Sequence, residues 1–122
     1  MARILVIDDE DIVRHMLRTV LELQGYEVIE AKHGKEALQL QQISPPELVI
    51  TDILMPENDG IEVIMALRRQ APKLKVIAMS GGGRFKQADA LETAELLGAV
   101  ATLRKPFDLA LVIETVKRAL AA

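Results

Sequence analysis

The stretch ILVIDDEDIV, residues 4–13, places four consecutive acidic residues directly after an apolar run. The apolar residues 4–7 have the length and the aliphatic, β-branched composition of a buried strand. The acids at residues 8–11 lead into a second apolar pattern, which has the period of an amphipathic helix. The stretch therefore predicts a buried strand, a negatively charged turn and a helix, which together make one βα unit.

The same alternation of short apolar runs and helical segments recurs along the whole chain. It is typical of α/β folds in which helices cover both faces of a parallel sheet, a doubly wound architecture. The chain has 122 residues, the size of one domain, so we expect a single domain over residues 1–122. The five predicted strands are Arg3–Asp8, Glu27–Glu30, Leu48–Asp52, Lys75–Ser80 and Val100–Leu103. The five predicted helices are Glu10–Gln24, Lys35–Gln42, Gly60–Gln70, Phe85–Leu97 and Leu109–Ala121.

Helical periodicity also assigns side chains to the core. The predicted inner faces of the first, third and last helices are Ile12, Val13, Met16, Leu17, Val20 and Leu21, then Ile61, Ile64, Met65 and Leu67, and then Leu109, Val112, Ile113, Val116 and Leu120. Met55, Met65 and Met79 are expected to fill gaps in the core. We expect His15 and His33 to be exposed, and Gly25 to end the first helix.

Charge and cysteine content argue against several classes of function. With 15 basic and 18 acidic residues the net charge is −3, so the chain lacks a basic footprint for nucleic acid and a polybasic segment for a membrane surface. The apolar run at the start is too short for a signal peptide or a membrane span. The chain has no cysteine, which excludes disulfides and thiolate sites and fits a reducing compartment. We expect a cytoplasmic protein that binds neither nucleic acid nor membranes.

Polar residues lie at the predicted carboxyl ends of four strands. Asp8 and Asp9 end the first strand, Asp52 ends the third and Ser80 ends the fourth, while Lys105 follows the fifth. Because the strands of a parallel sheet all point the same way, these residues are expected to meet along one edge of the sheet. The sequence therefore predicts a site of five polar residues at that edge.

Three carboxylates at one edge repel one another unless a cation or a proton intervenes. A hard divalent cation such as Mg²⁺ suits them, because it takes carboxylate oxygens and completes its shell with water and phosphate oxygens. The Lys105 ammonium and the Ser80 hydroxyl add one charged and one neutral donor for an anion with several oxygens. This set predicts a phosphoryl site, in which Asp52 is the candidate acceptor and the acids after the first strand hold the metal.

Each of these features has a simpler structural explanation when it is taken alone. Acidic residues before a helix usually cap it or offset its dipole, and we keep that explanation for Glu10 and Asp11. Asp59 is interpreted as a turn residue ahead of the third helix. The functional hypothesis therefore rests on the coincidence of complementary groups at one edge.

Four motifs, taken together, resemble the receiver domain of the bacterial response-regulator family. They are ILVIDDE, LVITDILMPENDG, VIAMSGGG and LRKPF, in the order and spacing of that family. The resemblance covers the whole chain. It implies a five-stranded flavodoxin-like sheet in the order 2-1-3-4-5, with the site where the strand order reverses. It also implies a phosphoacceptor signalling domain, which takes a phosphoryl group from a histidine kinase or a histidine phosphotransfer protein and then signals to a downstream protein.

The resemblance assigns roles to the metal-binding residues. It implies that Asp9 and Asp52 bind Mg²⁺ or Mn²⁺ directly and that Asp8 holds the ion through water. The family's third protein ligand is a backbone carbonyl, which corresponds here to that of Leu54.

The resemblance also assigns roles around the phosphoryl group. Asp52 would accept it, and Lys105 and Ser80 would bond to its oxygens. A cis peptide bond between Lys105 and Pro106 is implied as well. Such a domain is not an enzyme in the usual sense, because it catalyses only its own phosphorylation and slow dephosphorylation.

One position departs from the family pattern. The residue three before the lysine, which commonly is an aromatic side chain that moves on activation, is Thr102. A threonine cannot make a large inward and outward ring movement. The departure affects the expected signal on the face of the last two helices and leaves the expected chemistry unchanged.

Three other functions remain as alternatives. A phosphohydrolase with an aspartate nucleophile needs a second acid two residues later, where this chain has Leu54. A flavin- or nucleotide-binding module of the same fold needs hydroxyls or glycines after the first strand, where this chain has acids. A receiver-like module used for docking alone would not need the full acid set.

Overall fold

The computed structural model describes residues 2–53, 60–80 and 98–122. In these residues the chain forms β1 (Arg3–Ile7), α1 (Asp11–Leu23), β2 (Glu27–Ala31), α2 (Gly34–Ile43), β3 (Leu48–Asp52), α3 (Gly60–Gln70), β4 (Lys75–Ser80), β5 (Ala101–Arg104) and α4 (Leu109–Ala121). All strand pairs are parallel, and the sheet order is β2-β1-β3-β4-β5. The predicted fold class and strand order are therefore confirmed. Predictions for Phe85–Leu97, Leu54, Met55 and Asp59 lie outside the described residues.

Burial of both faces of the sheet explains why its strands are so apolar. Every residue of β3, and all but the first of β1, is buried. The helices α2 and α3 cover one face, where they contribute Ala37, Val63, Ile64 and Leu67 to a core cluster. The helices α1 and α4 cover the other face with Leu17, Leu21, Val112 and Val116. No helix in the described part of the chain is long and apolar enough to cross a membrane.

The ends of the described elements agree with the sequence-based prediction to within one residue. The last strand begins at Ala101, one residue later than predicted. Gly25 has a φ angle of +92°, which confirms that it ends α1 through the left-handed conformation that glycine tolerates. The Lys105–Pro106 bond is cis, as the resemblance implied.

Three residues that were predicted in the core are exposed. Ile12, Met65 and Leu109 have 84%, 43% and 41% of their surface accessible. Successive helical residues are rotated by about 100°, so Ile12 points about 140° away from the buried Leu17. In α3 an inward position is taken by Val63. The predictions were wrong because apolar runs continue past the part of each helix that faces the sheet.

His33 is the N-cap residue directly before α2 and is half-buried, whereas the sequence predicted an exposed residue. Its Nδ1 accepts a hydrogen bond from the Glu36 backbone N–H at 3.2 Å. The Glu36 side chain in turn accepts from the Lys32 backbone N–H at 2.7 Å. This arrangement resembles a capping box in which histidine replaces the usual serine or threonine and the glutamate bonds to the N–H of Lys32, the residue before the N-cap. The spacing of an acceptor residue and a glutamate three residues later could have revealed it.

Close contact between α2 and α3 depends on the absence of a side chain at Gly34. A Cβ atom there would lie 2.4 Å from Cγ2 of Val63, far inside van der Waals contact. We expect Gly34→Ala to lower the free energy of unfolding by about 1–3 kcal/mol through overpacking, although helix propensity alone would favour alanine. Urea unfolding of the variant measures the loss.

A double-mutant cycle with Val63→Ala tests the cause of that loss. In the Gly34→Ala background, removal of the Val63 methyl groups relieves the clash, so Val63→Ala should cost less there than in the wild-type chain. Additive effects of the two substitutions would contradict the steric explanation.

Candidate functional site

The carboxyl ends of four strands bring the predicted polar residues to one edge of the sheet. Asp8 follows β1, Asp52 is the last residue of β3 and Ser80 is the last residue of β4. Asp52 lies opposite Met79 and Ser80 lies opposite Arg104, the residue before Lys105. The Lys105 backbone N–H donates to the Ser80 carbonyl at 2.8 Å. The edge predicted from strand order is thus the edge that the structure forms.

The Lys105 ammonium bridges three carboxylates at this edge. Its Nζ donates to Asp8 Oδ2 at 2.7 Å, to Glu10 Oε1 at 3.0 Å and to Asp52 Oδ2 at 3.0 Å. The side chains of Asp8 and Asp52 are buried, while that of Glu10 is exposed. Three negative charges and one positive charge give these four groups a formal charge of −2. The site therefore retains uncompensated negative charge.

The three carboxylates are close enough together to bind one cation. Each offers an oxygen, and these oxygens all lie within 4.8 Å of one another. Two of the acids are buried, which makes their mutual repulsion costly unless a cation offsets it. Carboxylate oxygens at an open edge are the ligands that Mg²⁺ prefers. The donor set Asp8, Glu10 and Asp52 thus fits a hard divalent cation.

The pKa values of Asp8 and Lys105 are both raised, which disfavours the charged form of the acid and favours the charged form of the lysine. Burial raises the pKa of Asp8 to about 6, and the hydrogen bonds from Lys105 and the Glu10 N–H offset only part of that effect. Burial by itself lowers the pKa of Lys105, but the hydrogen bond to Asp8 and the charge of Asp52 outweigh it, so the pKa is raised overall. Lys105 is therefore a permanent cation, whereas Asp8 is an acid whose ionised form is costly.

Two acidic residues lie differently from the sequence-based interpretation. Glu10 was assigned to helix capping, but its side chain makes no cap hydrogen bond and instead contacts Lys105. Asp9 is exposed and does not belong to the group of three close carboxylates in the described part of the chain. The acidic run identified the segment that contacts Lys105, but it did not show which of its side chains turn toward the lysine.

Two further positions that the sequence singled out lie in β4 and β5. Ser80 is completely buried at the end of β4. Thr102 is half-buried in β5, opposite Ala78 of β4. Leu54 lies outside the described residues.

We expect Asp8→Asn to stabilise the protein in the absence of divalent cations. A carboxyl group whose folded-state pKa lies above its unfolded value lowers stability as the pH rises through the interval between the two, here from about 4 to about 6. Above that interval the amide removes a penalty of about 2–3 kcal/mol. Thermal or urea unfolding in EDTA at about pH 7.5 and about pH 4 measures the difference, which should vanish at the lower pH.

Asp108→Asn is the matched control for this prediction. Asp108 caps α4, where its side chain accepts from the Ala110 N–H at 2.9 Å, and asparagine caps equally well. This exposed position should show little change. If Asp8→Asn is no more stable than the wild-type chain near neutral pH, the burial penalty assigned to Asp8 is wrong.

The fold and the site together define a doubly wound α/β domain with a lysine-bridged acidic site at the carboxyl edge of its sheet. The model of the response regulator receiver domain matches residues 4–117. The chemotaxis protein CheY of Thermotoga maritima is 35% identical over 117 residues, which cover 95% of each protein. The receiver domain of NtrX from Brucella abortus has a TM-score of 0.91 at 30% identity, covering 98% of both chains.

The chain belongs to the response regulator receiver domain family. Its function is therefore that of a phosphoacceptor signalling domain of two-component systems. The regulatory protein AtoC of Escherichia coli is 40% identical over 118 residues, which cover 97% of this chain and 25% of AtoC. The chain likewise spans 56% of the transcriptional regulatory protein PdtaR of Mycobacterium tuberculosis. It thus corresponds to about a quarter to about half of the length of these two relatives.

Proposed function

We propose that Asp52 is the residue that accepts the phosphoryl group. Asp52 ends the central strand β3, and its side chain is buried beside a lysine and two further acids. The observation that carries the proposal is the position of the Lys105 ammonium, which contacts Asp52 and Asp8 at once. A cation held there can offset the charge that a phosphoryl group brings to Asp52.

The proposed reaction is a transfer between phosphohistidine and aspartate. An oxygen of the Asp52 carboxylate attacks phosphorus and forms the new P–O bond while the P–N bond breaks. The electron pair of the broken bond stays on the imidazole nitrogen, which takes up a proton. Lys105 and Ser80 bond to oxygens of the transferred group. Hydrolysis of the aspartyl phosphate would be the domain's one further reaction.

We propose Mg²⁺ or Mn²⁺ as the cofactor, held by Asp8, Asp9, Asp52 and the carbonyl of Leu54. The close carboxylate oxygens of Asp8 and Asp52 support this proposal. Asp9 follows Asp8 directly and is exposed, so its side chain can turn without repacking the core. Glu10 is an additional candidate, because its oxygen already lies within the group. When bound, the ion neutralises negative charge on the acids and on the phosphoryl oxygens.

We propose a histidine kinase or a histidine phosphotransfer protein as donor, and a protein surface as the recipient of the signal. Both assignments follow from the family and from the phosphoacceptor chemistry at Asp52. We further propose that residues 1–122 form one receiver domain that acts in the cytoplasm, which the cysteine-free composition supports. In this proposal the domain has no separate substrate to turn over.

A phosphorylation assay tests the proposed function. The wild-type chain is incubated with acetyl phosphate, with Mg²⁺ or with EDTA, and its intact mass is recorded. We expect one phosphoryl group per chain with Mg²⁺ and none with EDTA. Turnover of a phosphoester without a lasting adduct would favour a phosphohydrolase, and no adduct under either condition would favour a docking module.

A further inference from the structure

Arg14 is buried although it carries a positive charge. Among the lysines and arginines in the described part of the chain it is the one that is buried, with 5% of its side chain exposed. Burying a guanidinium is costly unless its donors are satisfied and its charge is paired. The burial of this charge therefore has to be offset by specific contacts of the guanidinium.

The donors of Arg14 hold three segments together. Nη1 donates to the backbone carbonyl of Asp8 at 2.7 Å, Nε to Glu30 Oε1 at 3.1 Å and Nη2 to Asp11 Oδ1 at 2.5 Å. These partners lie after β1, in β2 and at the start of α1. The planar guanidinium fixes the directions of all three bonds at once, which an ammonium cannot do.

The contact with Asp8 completes the restraint on that residue. The Asp8 N–H donates to the Ala31 carbonyl at 3.2 Å. Asp8 Oδ1 accepts from the Glu10 N–H at 2.9 Å, and Oδ2 accepts from Lys105 at 2.7 Å. With the Arg14 bond, the backbone and both carboxylate oxygens of Asp8 have partners. Arg14 supplies the side-chain contact that fixes the Asp8 carbonyl.

We propose that Arg14 is a positioning residue for the acidic site, and that its guanidinium sets the direction in which the turn after β1 presents its carboxylates. This inference rests on the proposed metal binding at that site. It assigns to Arg14 a role that acts through Asp8, without contact to the metal or to the phosphoryl group. Partners that orient metal ligands in this way commonly change metal affinity about 10–100-fold when they are removed.

The positive charge of Arg14 and its bond to the Asp8 carbonyl predict opposite changes in divalent-cation affinity when Arg14 is replaced. Removing a cation beside an acidic site makes the site more negative, which by itself strengthens the binding of a divalent cation. Releasing the Asp8 carbonyl loosens the ligands, which weakens binding. The direction of the change therefore distinguishes the two effects.

Arg18 provides the matched control. It lies one helical turn after Arg14 and donates to Glu30 Oε2 at 2.9 Å and to Glu22 at 3.2 Å. In the described part of the chain its side-chain hydrogen bonds and ion pairs are with Glu22 and Glu30, at a distance from Asp8. Arg18→Gln therefore removes a charge from the same network and leaves the bond to the Asp8 carbonyl in place.

Calorimetric titration with Mg²⁺ on the wild-type chain, Arg14→Gln, Arg14→Lys and Arg18→Gln tests the inference. We expect about tenfold weaker binding in both Arg14 variants and unchanged or tighter binding in Arg18→Gln. Arg14→Lys retains the charge, so it keeps the test informative if Arg14→Gln folds poorly. Circular dichroism at the titration temperature establishes that each variant is folded.

Three results would overturn the inference, and they can be told apart. Wild-type affinity in both Arg14 variants, or an equal loss in Arg18→Gln, would remove the positioning role and leave the proposed function standing. Absence of Mg²⁺ binding by the wild-type chain would remove the proposed metal site and the role of Arg14 together.

Discussion

Asp52→Asn is expected to take up no phosphoryl group from acetyl phosphate in the presence of Mg²⁺, whereas the wild-type chain takes up one. The amide keeps the shape of the side chain but has no carboxylate oxygen to form the P–O bond. It also removes one of the three clustered carboxylates, so metal binding should weaken. Intact mass after incubation measures the adduct, and the expected effect is a complete loss.

Asp108→Asn is the control for a general effect of replacing aspartate by asparagine. Asp108 caps α4 on the exposed surface, and this variant should be phosphorylated like the wild-type chain. A full adduct on Asp52→Asn would mean that another residue is the acceptor, and peptide mapping would then locate it.

Lys105→Met should lower the free energy of unfolding by about 3–5 kcal/mol in EDTA at about pH 7.5, because removing one partner of a buried ion pair leaves the other charges uncompensated. Here the ammonium offsets Asp8, Glu10 and Asp52 together. At about pH 5 the loss should shrink, since Asp8, with a pKa of about 6, is then mostly protonated. Saturating Mg²⁺ should also recover part of the lost stability. Urea unfolding under the three conditions provides the measurement.

Lys117→Met replaces an exposed lysine on α4 and controls for the loss of a positive charge. Its effect should stay within about 0.5 kcal/mol. If Lys105→Met unfolds at the same urea concentration as the wild-type chain in EDTA near neutral pH, then the lysine does not offset the acidic cluster.

The architecture could be predicted because it depends on patterns that span many residues. Buried strands in a two-sided parallel sheet must be apolar along their whole length, and β1, β3 and β4 show this clearly. Parallel strand direction then places Asp8, Asp52, Ser80 and Lys105 at one edge without any knowledge of side-chain conformation. The site was therefore predictable to the level of which strand ends meet.

The details of the site could not be predicted because they depend on single side-chain conformations. Asp9 and Glu10 are adjacent in one acidic run, and the run itself does not show which of the two contacts Lys105. In the structure that residue is Glu10. Nothing in the sequence distinguishes Arg14 from an exposed polar residue of an amphipathic helix, because its burial depends on its bond to the Asp8 carbonyl. Ile12 was predicted in the core because an apolar residue beside Val13 does not show how far the buried face of the helix extends.

The sheet also separates the two halves of the core from each other. Every described helix follows the carboxyl end of a strand, so each begins near the acidic edge and then runs away from it on one face or the other. The side chains behind α1 and α4 form a cluster distinct from those behind α2 and α3. Substitutions on the outer surface of one pair of helices are therefore expected to leave the core cluster behind the other pair unchanged. The residues of the acidic edge and those of each helix-covered face can thus change independently during evolution within a single small domain.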